Sequence, residues 1–217
     1  MNSLWPMDST LKSHWQTIYQ TKTPAEVSWT QEDPQPSLEW ILQLNLPFDT
    51  PIIDVGGGDS MLADKLIALG FTDITVLDIS AEAIERAKRR LGLSSSQVHW
   101  VVQDILEFQP SRQYGVWHDR AAFHFQTDSI AISKYMEILQ RSLNGFFIVG
   151  TFSTEGPTKC SGLDITQYDE NRMRELLVRK GLQVIKQERI NHTTPKGAIQ
   201  NFLFTLAASA TQSNGKV

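Results

Sequence analysis

Pro51-Ile-Ile-Asp-Val-Gly-Gly-Gly-Asp-Ser60 decides how this 217-residue chain is read. Ile52-Ile53-Asp54-Val55 is an apolar run with the look of a buried strand. Three glycines end it, and a helical pattern of Met61, Leu62, Lys65, Leu66 and Leu69 starts at once. A strand, a tight glycine turn and a helix form a cofactor cradle, because glycine turns sharply and admits a ligand without a Cβ in the way. A second strand-like run, Ile74-Thr-Val-Leu-Asp78, ends in an acid 22 residues beyond Gly56. A carboxylate there can accept hydrogen bonds from both ribose hydroxyls of an adenosine cofactor. Nicotinamide cofactors share that need, so the glycine spacing has to separate the possibilities. A G-x-G-x-x-G fingerprint opening at Gly56 requires glycine at position 61, which is Met61. A side chain there disfavours the close helix–strand packing of a dinucleotide site.

The pattern that is present, Asp54-x-Gly56-x-Gly58-x-Ser60, resembles motif I of the class I S-adenosylmethionine (SAM) methyltransferases, written [D/E]-x-G-x-G-x-G. Ser60 replaces the last glycine and keeps the residue small. The rest of the chain supports this resemblance independently. Strands are predicted at 52–55, 74–78, 98–102, 114–118 and 146–151, and helices at 60–69, 80–91 and 128–143. Such alternation implies βαβ units and a parallel sheet. The end breaks the rhythm. After a helix over 169–180, strands at Leu182 to Ile190 and Ile199 to Ala207 are joined by a turn-rich link too short for a crossover, so they pair antiparallel. The resemblance implies a Rossmann-like α/β fold, a seven-stranded, mostly parallel sheet of order 3-2-1-4-5-7-6 with the last strand antiparallel and helices on both faces. One domain is expected: residues 1–50 as a helical cap and Pro-rich linker, 51–208 as the SAM-binding core, and 209–217 as a flexible tail.

Bulk properties set limits. The length allows a full core, with roughly 70% of the unfolded surface buried. A net charge of −4 argues against a nucleic-acid partner, which calls for a basic field. Lys88-Arg89-Arg90 reads as a basic last helical turn complementing the dipole. The single cysteine, Cys160, rules out an intrachain disulfide and favours a reducing, cytoplasmic setting. No apolar run approaches the ~18 residues of a membrane span. A monomer or weak dimer is expected.

If the cofactor is SAM, backbone N–H groups from Gly56, Gly58 and Ser60 at a helix start suit its carboxylate. Asp54 could orient the loop or take the ammonium, and Asp78 the ribose. By the resemblance, Asp104 is placed to recognise the adenine amino group, with Ile79 and Ile105 on either side of the ring. The fourth strand ends in His118-Asp119-Arg120-Ala-Ala-Phe-His124, a place that in this superfamily faces the transferred methyl. Asp119 could steady the sulfonium or pair with Arg120, which is itself expected among the cofactor-binding residues. Of the two histidines, His124 is preferred to His118 as a general base at the open site, and their spacing with Asp119 is not a zinc signature, so no metal is expected. A long polar loop, Thr151 to Asp164, follows the fifth strand and leads to Tyr168. Long loops at the carboxyl ends of parallel strands carry function. Cys160 within it reads as a small wall residue rather than a nucleophile.

Two further runs narrow the resemblance. His14-Trp15, Tyr19 and Val27-Ser28-Trp29, with the Asp119–Phe125 and Phe152–Tyr168 segments, look like the subgroup that holds citrate synthase lysine methyltransferase and elongation-factor lysine methyltransferases. That likeness places Tyr19 and Trp29 over the cofactor or along the acceptor channel. It leaves the methyl acceptor open between a protein lysine and a small molecule, with S-adenosylhomocysteine as the second product. The rival classes are a nicotinamide oxidoreductase, disfavoured by Met61 and the terminal hairpin, and a non-catalytic SAM-binding protein.

Overall fold

A computed structural model describes residues 7–209. Among the described residues there are six α-helices: α1 (Met7–Thr21), α2 (Ser37–Gln43), α3 (Leu62–Ala68), α4 (Ala81–Leu91), α5 (Ser129–Ser142) and α6 (Glu170–Arg179). The strands are β1 (Ile52–Val55), β2 (Ile74–Asp78), β3 (Val98–Val102), β4 (Tyr114–Arg120), β5 (Leu143–Phe152), β6 (Lys159–Cys160), β7 (Leu163–Asp164), β8 (Leu182–Thr193) and β9 (Ile199–Ser209). Seven of them form one sheet in the order β3-β2-β1-β4-β5-β9-β8. β1 to β5 run parallel, and β9 is antiparallel to both β5 and β8. This is the expected topology, with one added hairpin, β6–β7, inside the loop that follows β5.

Local chemistry explains the elements. All four residues of β1 and all five of β2 are buried, as continuous apolar strands in a two-sided sheet must be. Ser80 caps α4 by accepting from Ala83 N, Asp128 caps α5 through Ile130 N and Ala131 N, and Asp169 caps α6 through Arg172 N. Each side chain satisfies donors that the first helical turn leaves open. Gly92, at φ +58°, ends α4.

Side-chain alternation divides the core between the two faces of the sheet. Ile52, Val116, Ile148 and Phe204 pack with Trp40, Ile41 and Leu66 from α2 and α3. Ile53, Trp117, Phe147 and Leu203 pack with Tyr135, Leu139 and Leu177 from α5 and α6.

Three boundaries differ from expectation. β4 continues to Arg120 because its last residues keep pairing with β5 up to Gly150. β5 starts at Leu143, directly after α5. β8 and β9 extend into the link between them, leaving a tight turn in which Gly197 N donates to Thr194 O and Thr194 N to Ala198 O. Of the expected tail, Ser209 is the last residue of β9, and 210–217 lie outside the described residues. Among the described residues no helix is long and apolar enough to cross a membrane.

The sheet order reverses direction at β1, with β2 on one side and β4 on the other. In open α/β sheets that reversal leaves a crevice beyond the carboxyl ends of the strands. The candidate site occupies it.

Candidate active site

Beyond β1, β2 and β4 lies a cavity of about 1290 Å³, part of it open to solvent. The glycine loop forms its floor. Gly56 has φ +67°, and a Cβ there would come 2.6 Å from the Ala122 Cβ, so both conformation and space demand glycine. Gly58 has φ +29°, and its Cβ would meet the Asp78 carboxylate at 2.5 Å. A Cβ on Gly57 would collide with the carboxylate of Asp54. The three glycines therefore bring bare backbone between two acids. Ser60 Oγ accepts from Leu62 N and opens α3.

At one end stand Asp78, the last residue of β2, and Ile79 after it, with Gln103, Asp104 and Ile105 after β3. Asp78 Oδ1 accepts from Ser80 N at 2.7 Å. Burial, with the charge of Asp54 adding to it, pushes the Asp78 carboxyl up to about 7. Asp104 Oδ1 accepts from Leu106 N at 2.8 Å.

The middle is built on strand register. Asp54 of β1 lies directly beside His118 of β4, and Asp54 Oδ1 meets His118 Nδ1 at 2.7 Å. The carboxylate places the imidazole proton on Nδ1, so Nε2 accepts from Ser37 Oγ, also at 2.7 Å. Asp54 Oδ2 is buried with no partner among the described residues. Such an acceptor calls for a donor from a ligand.

The far end is formed by Arg120, Ala121, Gln126 and Cys160. Arg120 donates from one Nη to Trp29 O at 2.8 Å, and its guanidinium lies 5.2 Å from the Phe202 ring centroid. Its Nε and other Nη are buried without a partner among the described residues. Burial pulls the guanidinium down to about 10, against the nearby charge of Asp54. Burial also pushes the Cys160 thiol up to about 12, so it is a neutral wall residue rather than a nucleophile.

Helix α1 and the segment after it close one side. Trp15 packs edge-on against Trp29 (5.6 Å between centroids) and Phe125 (5.2 Å), and Tyr19 against Trp29 (6.1 Å). Two ties hold α1 over the cavity. Gln16 Oε1 accepts from Ser80 Oγ and Glu82 N, and Arg86 of α4 donates to Tyr19 O and Lys22 O.

Three residues anticipated as catalytic stand elsewhere. Asp119 does not face the cavity or pair with Arg120. Fully buried on the opposite face of the sheet, it accepts from Ala122 N, Phe123 N and Tyr135 OH. The reason is alternation: His118 and Arg120 point into the cavity, so Asp119 between them must point away. His124 is fully buried, accepts from Phe152 N through Nδ1, and is held down to about 3 by burial and by Arg120. A histidine so reluctant to protonate is a poor base, and His118 is the histidine that lines the cavity. Tyr168 is buried against Phe123, with its hydroxyl pushed up to about 12. Missed by the sequence reading were the Ser37–His118–Asp54 chain, Gln126, and Arg86 with its tie to α1. Only the His118 relation had a signal, in the shared register of β1 and β4.

Asp119 thus fixes the turn that follows Arg120 at the end of β4. Tyr135→Phe removes one donor from a buried carboxylate, for a loss of about 2 kcal/mol. Thermal unfolding should drop by several degrees with cofactor affinity unchanged in calorimetry. A changed affinity would return Asp119 to the site.

The residues present fit SAM. The bare glycine floor suits its methionine part, the unpartnered Asp54 Oδ2 its ammonium, and Asp78 its ribose. Comparison with known proteins agrees. Residues 52–144 match the family described as Methyltransferase domain. EEF1A lysine methyltransferase 2 of Homo sapiens is 24% identical in an alignment of 163 residues that covers 64% of this chain and 66% of that protein. The match therefore spans just under two thirds of the curated relative's length. Magnesium protoporphyrin IX methyltransferase of Synechocystis, solved with bound SAM, superposes with a TM-score of 0.69 at 16% identity, covering 97% of this chain and 100% of that one. A structure solved for the conversion of a disulfide bond into a thioacetal group during echinomycin biosynthesis gives a TM-score of 0.75 at 16% identity, covering 93% and 94%. At those identities the two structures establish the fold alone.

Proposed function

We propose that this chain is a SAM-dependent methyltransferase whose acceptor is enclosed in the cavity between the glycine loop and Arg120. The observation that carries the proposal is the one cavity that joins Asp78, the glycine floor and the unpartnered Asp54 Oδ2. When bound, SAM supplies a methyl group on a positively charged sulfur, open to displacement by a nucleophile.

The chain's own residues hold and shield. Asp78 accepts from the ribose hydroxyls, Asp104 faces the adenine, and Ile79 and Ile105 flank the ring. Asp54, held in place by His118, takes the ammonium. Trp15, Tyr19 and Trp29 exclude water from the middle of the cavity, which strengthens the electrostatic contacts inside. Positioning of this kind accounts for most of the rate in a displacement that needs no covalent help from the protein. The single buried cysteine fits a reducing, cytoplasmic setting.

A small-molecule acceptor is favoured because the aromatic wall and Cys160 enclose the space beside Arg120. A protein lysine is the second reading. It draws on the human lysine methyltransferase and on a shallow groove lined by Glu32, Asp33, Asn191 and His192 that shares Thr30 and Gln31 with the cavity. Incubation with methyl-labelled SAM and a fractionated lysate tests the proposal. Label should follow small metabolites. Label on a protein band supports the lysine reading, and no label in any fraction contradicts catalysis.

A further inference from the structure

Arg120 is unusual in this cavity. It lines the site, yet two of its nitrogens are buried with no partner and it forms no ion pair among the described residues. Asp54 is close enough to act on its charge but forms no ion pair with it, and a buried cation left without a paired anion is costly, so buried charges are paired or wait for a ligand that pairs them. We infer that Arg120 is the seat for an anionic group of the methyl acceptor, a carboxylate or comparable oxyanion carried on an apolar body. The inference rests on the proposed function, because the occupant sought is the acceptor beside a SAM-family cofactor.

Three observations place the anion on the acceptor rather than elsewhere. The elements around Arg120 belong to the end of the cavity remote from Asp78: Phe202 comes from β9 and Cys160 from the β6–β7 hairpin. The walls between are apolar and aromatic, with Trp29 and Phe125 on the α1 side. No free base stands there. His118 is engaged at both nitrogens, and His124, Asp119 and Tyr168 lie outside the cavity. An amine would arrive as a cation, meet the charge of Arg120 and need a base to release its proton. An acid arrives already ionised. The planar guanidinium can hold a carboxylate through two parallel N–H donors.

The test is binding by calorimetry at pH 7.5, using the full chain saturated with S-adenosylhomocysteine to prevent turnover. Acetate, benzoate and indole-3-acetate are each titrated beside the matching amide, with n-butylamine as the cationic control. At least one acid should bind roughly tenfold or more tightly than its amide, with no response to butylamine. In Arg120→Met that preference should disappear while S-adenosylhomocysteine affinity stays within about threefold. The acid–amide comparison uses the unaltered chain, so it stands even if the variant folds poorly. No acid preferred over its amide, or a preference for butylamine, would overturn the inference. So would a loss of S-adenosylhomocysteine affinity in folded Arg120→Met, which would assign the guanidinium to the cofactor's own carboxylate. If the unaltered chain fails to bind S-adenosylhomocysteine at all, the proposed function itself falls, a result distinct from the other three.

Discussion

Asp78→Ala is expected to weaken SAM binding by about a hundredfold or more while the chain stays folded. The carboxylate accepts from both ribose hydroxyls in the proposed complex, and each hydrogen bond to a charged acceptor contributes about 1.5–3 kcal/mol. Two of them correspond to at least about two decades of affinity. The fold should survive, because Asp78 sits at the end of β2 and its backbone pairing with β3 is untouched. The same residue predicts a pH dependence. Burial raises its carboxyl to about 7, so the accepting, ionised form is lost as the pH falls below that value. SAM affinity should therefore rise from pH 6 to pH 8 and level off above. Stability of the cofactor-free chain should move the other way. A carboxyl whose folded value lies above its unfolded one keeps a proton in the fold that the unfolded chain gives up. Stability then falls as the pH rises from about 4 to about 7. Asp119, pushed up to about 6 by its burial, acts in the same direction. Thermal melts at pH 5 and pH 8 check this, and the shift produced by SAM should be larger at pH 8. Equal SAM affinity in Asp78→Ala and the parent chain would remove Asp78 from the site.

Gly56→Ala should be the most damaging single-methyl change in the loop. A left-handed φ of +67° costs a side chain about 1–2 kcal/mol. The methyl also meets Ala122 at 2.6 Å, and overpacking of a tight site costs about 1–3 kcal/mol more. Neither partner can yield cheaply, since Ala122 belongs to the turn that Asp119 fastens. For a chain of this size the sum corresponds to a fall of about 10 °C in unfolding temperature. Cofactor binding should be lost with it, because the floor of the cavity is the displaced backbone. A variant that melts within about 2 °C of the parent and binds SAM normally would contradict the role given to this glycine, since that shift corresponds to only about 1 kcal/mol.

The fold was largely legible in the sequence because its strongest signals are short-range. The apolar run Ile52–Val55, the glycines after it and the caps Ser80 and Asp169 act within a few residues. The terminal hairpin followed from the length of one link. The crevice beside β1 and β2 was legible for the same reason: Asp54, Gly56, Gly58, Ser60 and Asp78 end or directly follow those two strands. The end beside Arg120 was harder. Asp119 and Arg120 could not both face one cavity, because neighbours on a strand point to opposite sides. Extending β4 by two residues would have sorted them. His124 lies in a short 3-10 turn, Phe123–Phe125, whose orientation depends on contacts with Phe152 that no local pattern encodes. Ser37 reaches His118 across 81 positions of chain, and Arg86 joins α4 to α1 over 67. Partners so distant in sequence leave no spacing to read.

Calorimetric titration of the purified chain with SAM and, separately, with NADH tests the central claim most directly. Saturable one-to-one binding of SAM, competed by S-adenosylhomocysteine, with no heat from NADH, is the predicted result. Binding of NADH with no response to SAM would contradict the assignment of the crevice beyond β1 and β2.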